Sequence, residues 1–179
     1  MTVYLALGSN RGDRAAHLEA GLAALAGVGV ELERVSSIRQ TAPAGATGRR
    51  WFLNGVSRGQ TRLLPKVLWR RLRRIEQEHG RHRTGRATKK GPRTLDLDLI
   101  LYGRARIRTP ELTVPHARFA TRSFVVTGLA ELDPGLRAPR SSISARRLGA
   151  QLALAGRAAR GPWPGGGESS PWQPRDRTA

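Results

Sequence analysis

The chain has no cysteine among its 179 residues. Disulfides, thiol nucleophiles and Cys-ligated zinc or iron–sulfur sites are therefore excluded, and a reducing compartment, the cytoplasm, is the expected location. Long apolar runs are also missing: nothing approaches the roughly 20 residues that a membrane span needs, so no membrane partner is expected. Met1-Thr2-Val3-Tyr4 has no basic stretch ahead of its apolar run, and a secretory leader is not expected. Aromatic residues make up only 5% and do not interleave with basic ones, which argues against a base-stacking platform. No G-x-x-x-x-G-K-[ST] string occurs, which excludes a P-loop. No His-x-x-x-His or Ser/His/Asp arrangement points to a zinc enzyme or a triad hydrolase.

Acidic residues are scarce too. Thirteen Asp and Glu face 32 Lys and Arg, for a formal charge of +19. Nucleic acid or a polyanionic small molecule would suit that charge. Lysine occurs only at 66, 89 and 90, which leaves 29 arginines. Such a skew equally describes a solvated basic surface spread over the whole protein, and both readings stand. The length suits one domain.

Along the chain, Val3-Tyr4-Leu5-Ala6-Leu7 reads as a buried strand that stops at Gly8-Ser9-Asn10. Asp13 offers an N-cap, Leu18, Leu22 and Leu25 recur at helical spacing, and Gly27 is placed to end the helix. Residues 30–41 read as a second extended segment, with a bulge near Arg34 and Val35. Residues 42–50 read as a long loop. Residues 52–61 read as a strand with Phe52, Asn54 and Val56 on one face. Pro65 suits a first helical turn, Leu64, Leu68, Leu72 and Ile75 form an apolar stripe, and Gly80 ends the helix.

Residues 81–91 carry Arg81, His82, Arg83, Arg86, Lys89, Lys90 and two glycines, and read as a mobile loop. The clearest strand follows over 94–102. A short strand is expected at 106–108, helices at 123–132 and 141–155, and a disordered Gly/Pro/Arg-rich tail over 157–179. Strands two and three follow one another without a helix, which favours an α+β arrangement over a doubly wound parallel sheet.

Asp96 and Asp98 lie two apart on a predicted strand and so share a face, with Leu95, Leu97, Leu99 and Leu101 on the other. Their carboxylates emerge roughly 6–7 Å apart and repel unless a divalent cation or a cation pair sits with them. A solvated strand face is the plainer reading, but Asp is a poor strand former. Oxygen-only donors indicate Mg²⁺ or Mn²⁺. Arg93 precedes this strand and the cationic loop precedes Arg93, an arrangement that suits transfer of a phosphoryl group. His116, in an expected loop after Pro115, reads by itself as a surface histidine.

Several strings together resemble the 6-hydroxymethyl-7,8-dihydropterin pyrophosphokinase family of folate biosynthesis. They are Leu7-Gly8-Ser9-Asn10-x-Gly12-Asp13-Arg14, Thr41-x-Pro43-x-Gly45, Phe52-Leu53-Asn54, Gly80-Arg81-x-Arg83, Gly91-Pro92-Arg93-Thr94-Leu95-Asp96-Leu97-Asp98, Val114-Pro115-His116 and Arg122-Ser123-Phe124. The resemblance covers residues 1–135 and extends to about 155, so a pyrophosphokinase domain is expected over 1–156. It implies a ferredoxin-like α+β fold, an antiparallel sheet with helices packed on its faces. It implies transfer of pyrophosphate from ATP to the pterin hydroxymethyl group, with release of AMP. By the same resemblance, Asp96 and Asp98 match ligands of two Mg²⁺ ions. Arg81 and Arg93 match catalytic, phosphate-contacting arginines. Arg83, Thr113, His116 and Arg122 match ATP-binding positions. Thr41, Pro43, Ala44, Phe52, Asn54 and Phe124 match the pterin pocket.

The expected partners are ATP and the dihydropterin, with no specific nucleic acid, and the expected state is a monomer. Gly48-Arg49-Arg50 stands where the family often carries Asp-Gln-Pro, and Lys90 where an aromatic or Asn often precedes Gly-Pro-Arg. A basic nucleic-acid module would explain the charge but not the paired aspartates. A Mg²⁺-dependent transferase acting on another hydroxymethyl heterocycle is the alternative enzyme.

Overall fold

The computed structural model describes residues 1–42, 51–80, 93–139 and 141–154. Most of the expected 42–50 loop, the whole cationic loop over 81–91 and the tail lie outside the described residues. Within them run β1 (Thr2–Ser9), α1 (Arg14–Gly27), β2 (Val30–Val35), β3 (Arg39–Thr41), β4 (Phe52–Thr61), α2 (Pro65–Glu78), β5 (Asp96–Tyr102), β6 (Ile107–Arg108), β7 (Thr113–Val114), α3 (Ser123–Leu132) and α4 (Ala145–Leu154). The main sheet has the order β2-β4-β1-β5, with β3 also paired to β4, and every pairing is antiparallel. A β-α-β-β-α-β order with the first strand in the middle is the expected ferredoxin-like α+β architecture.

Helices cover both faces. Val3, Leu5 and Leu7 of β1, with Leu53, Leu97 and Leu99, pack against Leu18, Leu22 and Leu25 of α1 and Leu68, Leu72 and Ile75 of α2. Tyr4, Ala6, Val56 and Ile100 on the opposite face pack against Val125, Leu129 and Leu132 of α3 and Ala145 of α4. Period-two alternation on β1 thus feeds two cores at once. The second core stops at Ala6 and Val56, and the same face beyond it holds the polar residues of the candidate site.

Several expectations are corrected. Asp13 caps α1, accepting from Ala16 N–H at 3.0 Å, and the helix ends at Gly27 as read; the left-handed residue that follows is Gly29 at φ +84°. Gly80, also at φ +84°, follows α2 as read. Leu64 is exposed as the residue capping α2 and does not join its stripe. The 30–41 segment is two strands: Ser36 turns its hydroxyl to accept from Val56 N–H at 3.0 Å, and Ser37 N–H donates to the Glu131 carboxylate at 2.9 Å. The bulge there falls at Glu33, between Leu32 and Arg34. Leu101 is not on the Leu95 face. The β1–β5 register shifts between Tyr4↔Leu101 and Leu5↔Leu99, so Ile100 and Leu101 both serve the second core and Tyr102 returns to the first. The short strand expected at 106–108 pairs with β7 as a separate hairpin, joined to α2 by Lys66–Glu111 at 2.6 Å. No helix among the described residues is long and apolar enough to cross a membrane.

Candidate active site

The register places one row of residues straight across the sheet. Gly8 of β1 stands opposite Asn54 of β4 on one side and Asp96 of β5 on the other, and Arg39 of β3 stands opposite Asn54. The next row inward is Asp98–Ala6–Val56. Two strand spacings put Asn54 and Asp96 about 10 Å apart, centre to centre. Gly8 leaves the gap between them without a side chain. A Cβ there would overlap the Asn54 amide oxygen, so the amide lies over the glycine. Asn54 is buried, and its Nδ2 donates to Thr41 Oγ1 at 2.6 Å across the β3–β4 pair. Phe52 is opposite Thr41 on this face and half-buried. Phe124, in the first turn of α3, is partly buried against the second core.

The β5 end is charged. Arg93 Nη1 donates to Asp96 Oδ2 at 2.5 Å, and Arg122, the residue capping α3, donates to Asp98 Oδ2 at 2.7 Å. The two carboxylates therefore share their face without facing each other unpaired: an arginine stands on each, a pairing the spacing alone does not reveal. His116 Nε2 lies 4.0 Å from Asp98 Oδ2. Its Nδ1 accepts from Arg118 N–H at 3.2 Å, which assigns the ring proton of the neutral form to Nε2, toward Asp98. Burial pushes the His116 pKa down, Asp98 opposes that, and Arg122 and Arg118 add to it. His116 is held in place by its N–H donating to Ile100 carbonyl at 3.0 Å, beside the β5 bulge. It is a residue of this cluster, not the bland surface histidine its local sequence suggests.

Thr113 is exposed on β7, and among the described residues no hydrogen bond ties its side chain to Asp98, His116 or Arg122. Arg81, Arg83, Pro43 and Ala44 lie outside the described residues. Among the described residues no group of three or more metal-ligating side chains forms. Asp96 and Asp98 are a pair of hard oxygen donors, a set that fits an ion such as Mg²⁺, which takes one or two carboxylates and completes its shell with water and substrate oxygens.

Local residue reading assigned no part to Glu76. It is buried on α2, and its Oε1 accepts Leu97 N–H at 2.9 Å, between the two aspartates. Position 76 continues the 68–72 helical stripe, so a glutamate there was the available signal.

A family model described as 7,8-dihydro-6-hydroxymethylpterin-pyrophosphokinase (HPPK) matches residues 4–134. A 2-amino-4-hydroxy-6-hydroxymethyldihydropteridine pyrophosphokinase of Bacillus subtilis is 43% identical over 130 residues, 72% of this chain and 76% of that protein. The mitochondrial folate synthesis bifunctional protein of Pisum sativum is 40% identical over 130 residues, 73% of this chain but only 25% of that longer protein. Among solved structures, Plasmodium falciparum HPPK-DHPS with pteroate has a TM-score of 0.68 at 12% identity, covering 86% of this chain and 42% of that one. The chain thus spans about a quarter of the plant relative and under half of the Plasmodium chain, whereas it spans most of the bacterial protein. The structural likeness carries the fold, and the sequence matches carry the relationship: the chain belongs to the 7,8-dihydro-6-hydroxymethylpterin-pyrophosphokinase family.

Proposed function

We propose that this chain transfers pyrophosphate from ATP to the hydroxymethyl group of 6-hydroxymethyl-7,8-dihydropterin, releasing AMP, in folate biosynthesis. The observation that carries the reading is the row Asp96–Gly8–Asn54. It sets a carboxylate with its arginine and a buried amide on either side of a strand position that has no side chain. A phosphate-handling end and an end for a flat heterocycle with donor and acceptor edges then lie within reach of one small substrate pair.

On this reading the pterin rests near Asn54, with Phe52 and Phe124 for its ring faces and Thr41, Pro43 and Ala44 along its edge. The Asn54 amide is oriented by Thr41, which leaves its oxygen and second N–H for the ligand. ATP takes the β5 side, bordered by Thr113, His116, Arg122 and Arg83. Asp96 and Asp98 would hold Mg²⁺, two ions by family resemblance; the metal supplies charge neutralisation on the polyphosphate. The pterin oxygen forms a bond to the β-phosphorus while the bond from that phosphorus to the α–β bridging oxygen breaks. The hydroxyl gives up its proton and AMP departs. Arg93 and Arg81 neutralise negative charge that builds on the oxygens in that step, and no covalent intermediate with the protein is needed.

The test is incubation with ATP, Mg²⁺ and the hydroxymethyl dihydropterin, followed by nucleotide separation. AMP appearing in step with the pterin diphosphate is the expected result. ADP in its place would mean single phosphoryl transfer, and no nucleotide product would overturn the assignment.

A further inference from the structure

Strand β1 runs through Gly8 and Ser9, where a turn was expected, and Asn10 is the first residue past it, one the proposed reaction leaves without a task. The β1–β5 ladder ends at the pair Gly8↔Asp96. Beyond it, the Asn10 N–H donates to the Arg93 carbonyl at 3.0 Å and the Arg93 N–H donates to Asn10 Oδ1 at 2.7 Å. One residue thus satisfies both main-chain groups of Arg93, with its backbone on one side and its amide on the other. Arg93 is three residues before Asp96 and its guanidinium spans back to that carboxylate. Strand pairing has stopped by then, so the clasp fixes the Arg93 main chain on the β1 side, as the Thr94 hydroxyl donating to the His79 carbonyl does for the next residue on the α2 side.

We propose that Asn10 is a positioning residue for Arg93, holding the backbone of the arginine so that its guanidinium stands at the aspartate pair instead of sampling solvent. The inference rests on the role given to Arg93 above. A positioned charge acts on the transition state only if it is already in place, and a displacement of about 1 Å far from the chemistry can cost on the order of 10²-fold in rate. An acceptor at Oδ1 is what the clasp requires, so aspartate can replace Asn10 and alanine cannot.

The experiment is steady-state kinetics with both substrates, alongside thermal melts, for Asn10→Ala, Asn10→Asp, Arg93→Ala and the Asn10→Ala/Arg93→Ala double variant. Arg93→Ala is expected to lower kcat by about 10²-fold or more. Asn10→Ala is expected to lower kcat by roughly 10-fold or more with the pterin KM nearly unchanged, and Asn10→Asp to recover most of it. In the Arg93→Ala background, Asn10→Ala should cost no further kcat while still lowering the melting temperature, because the main-chain clasp remains there to be lost. Asn10→Leu, close in size but without an acceptor, carries the same comparison if Asn10→Ala does not yield folded protein. A full, additive kcat loss in the double variant, or unchanged kcat in Asn10→Ala, would make Asn10 a scaffold residue only and overturn the inference while leaving Arg93 its role. Near-normal kcat in Arg93→Ala would overturn the role of Arg93 itself, and this inference with it.

Discussion

Asp98 is tied to Arg122 at 2.7 Å and approached by His116 at 4.0 Å. The mutual repulsion of two same-face carboxylates would let Asp98→Ala stabilise the fold. The arginines change that expectation: repulsion is already offset, and a pair that keeps 23% and 29% of its side-chain surface exposed is worth on the order of 1 kcal/mol. Asp98→Ala should therefore melt near the parent temperature and form no AMP at saturating Mg²⁺; near-normal AMP formation would remove the aspartate from the metal site. Tyr4 supplies a pH prediction. Its hydroxyl donates to Asp133 Oδ2 at 3.1 Å, and burial first, then the Asp133 charge and hydrogen bond, push its pKa up from 10.0 to about 12. The folded state holds the phenol proton more tightly than the unfolded chain does. That stabilisation is complete below pH 10.0 and is lost as pH rises through about 12. The chain has two tyrosines, so phenolate absorbance in a Tyr102→Phe variant reports Tyr4 alone. Its midpoint is expected near 12, and Tyr4→Phe should remove a step in melting temperature across that interval. At this scale the identities of Asp96, Asp98 and Asn54 were legible from spacing and motif. The partners of Asp98 and Tyr4 were not, because Arg122 and Asp133 reach them across 24 and 129 residues.

Elements were read well where a period repeats and less well where it breaks. Residues 52–61 and 123–132 form the strand and helix that alternation and spacing predict, end to end. The β5 bulge was invisible, because Leu99-Ile100-Leu101-Tyr102 is apolar throughout and only the register against β1 decides which face each residue takes. The division of 30–41 likewise depends on Ser36 and Glu131, groups with no periodic signature. The same region makes α3 testable. Gly128 lies so close to β4 that a Cβ would sit 2.6 Å from Val56 Cγ2 and 3.0 Å from Ser36 Oγ. Gly128→Ala must push the helix off the sheet, at a cost of about 1–3 kcal/mol despite the better helix propensity of alanine. Denaturant melts should show a lower midpoint; an unchanged or raised midpoint would mean that α3 has slack against β4. Because Arg122 and Phe124 start this helix, the displaced variant should also lose turnover.

At the scale of the whole molecule, the family match ends at residue 134 and α4 at Leu154. The composition of 157–179, rich in Pro and Gly with isolated tryptophans, supplies no apolar period for docking. A chain ending after Gly156 is expected to keep its turnover and to melt within about 2 °C of the parent, a shift smaller than 1 kcal/mol produces at this size. A larger fall would show that Trp163 or Trp172 packs on the domain. The sequence by itself determined the α+β class, the strand and helix faces, the exclusion of thiol and P-loop chemistry, and the motif that marks the family. These are local facts, carried by periods of two and 3.6 and by strings of neighbouring residues. Only the tertiary structure decided that Asn54, Gly8 and Asp96 form one row, that two arginines stand on the aspartates, and that Asn10 clasps Arg93. Strand register and ion-pair choice are set by residues tens of positions apart, brought together when two cores close on opposite faces of one sheet, and no local pattern encodes which of several arginines arrives.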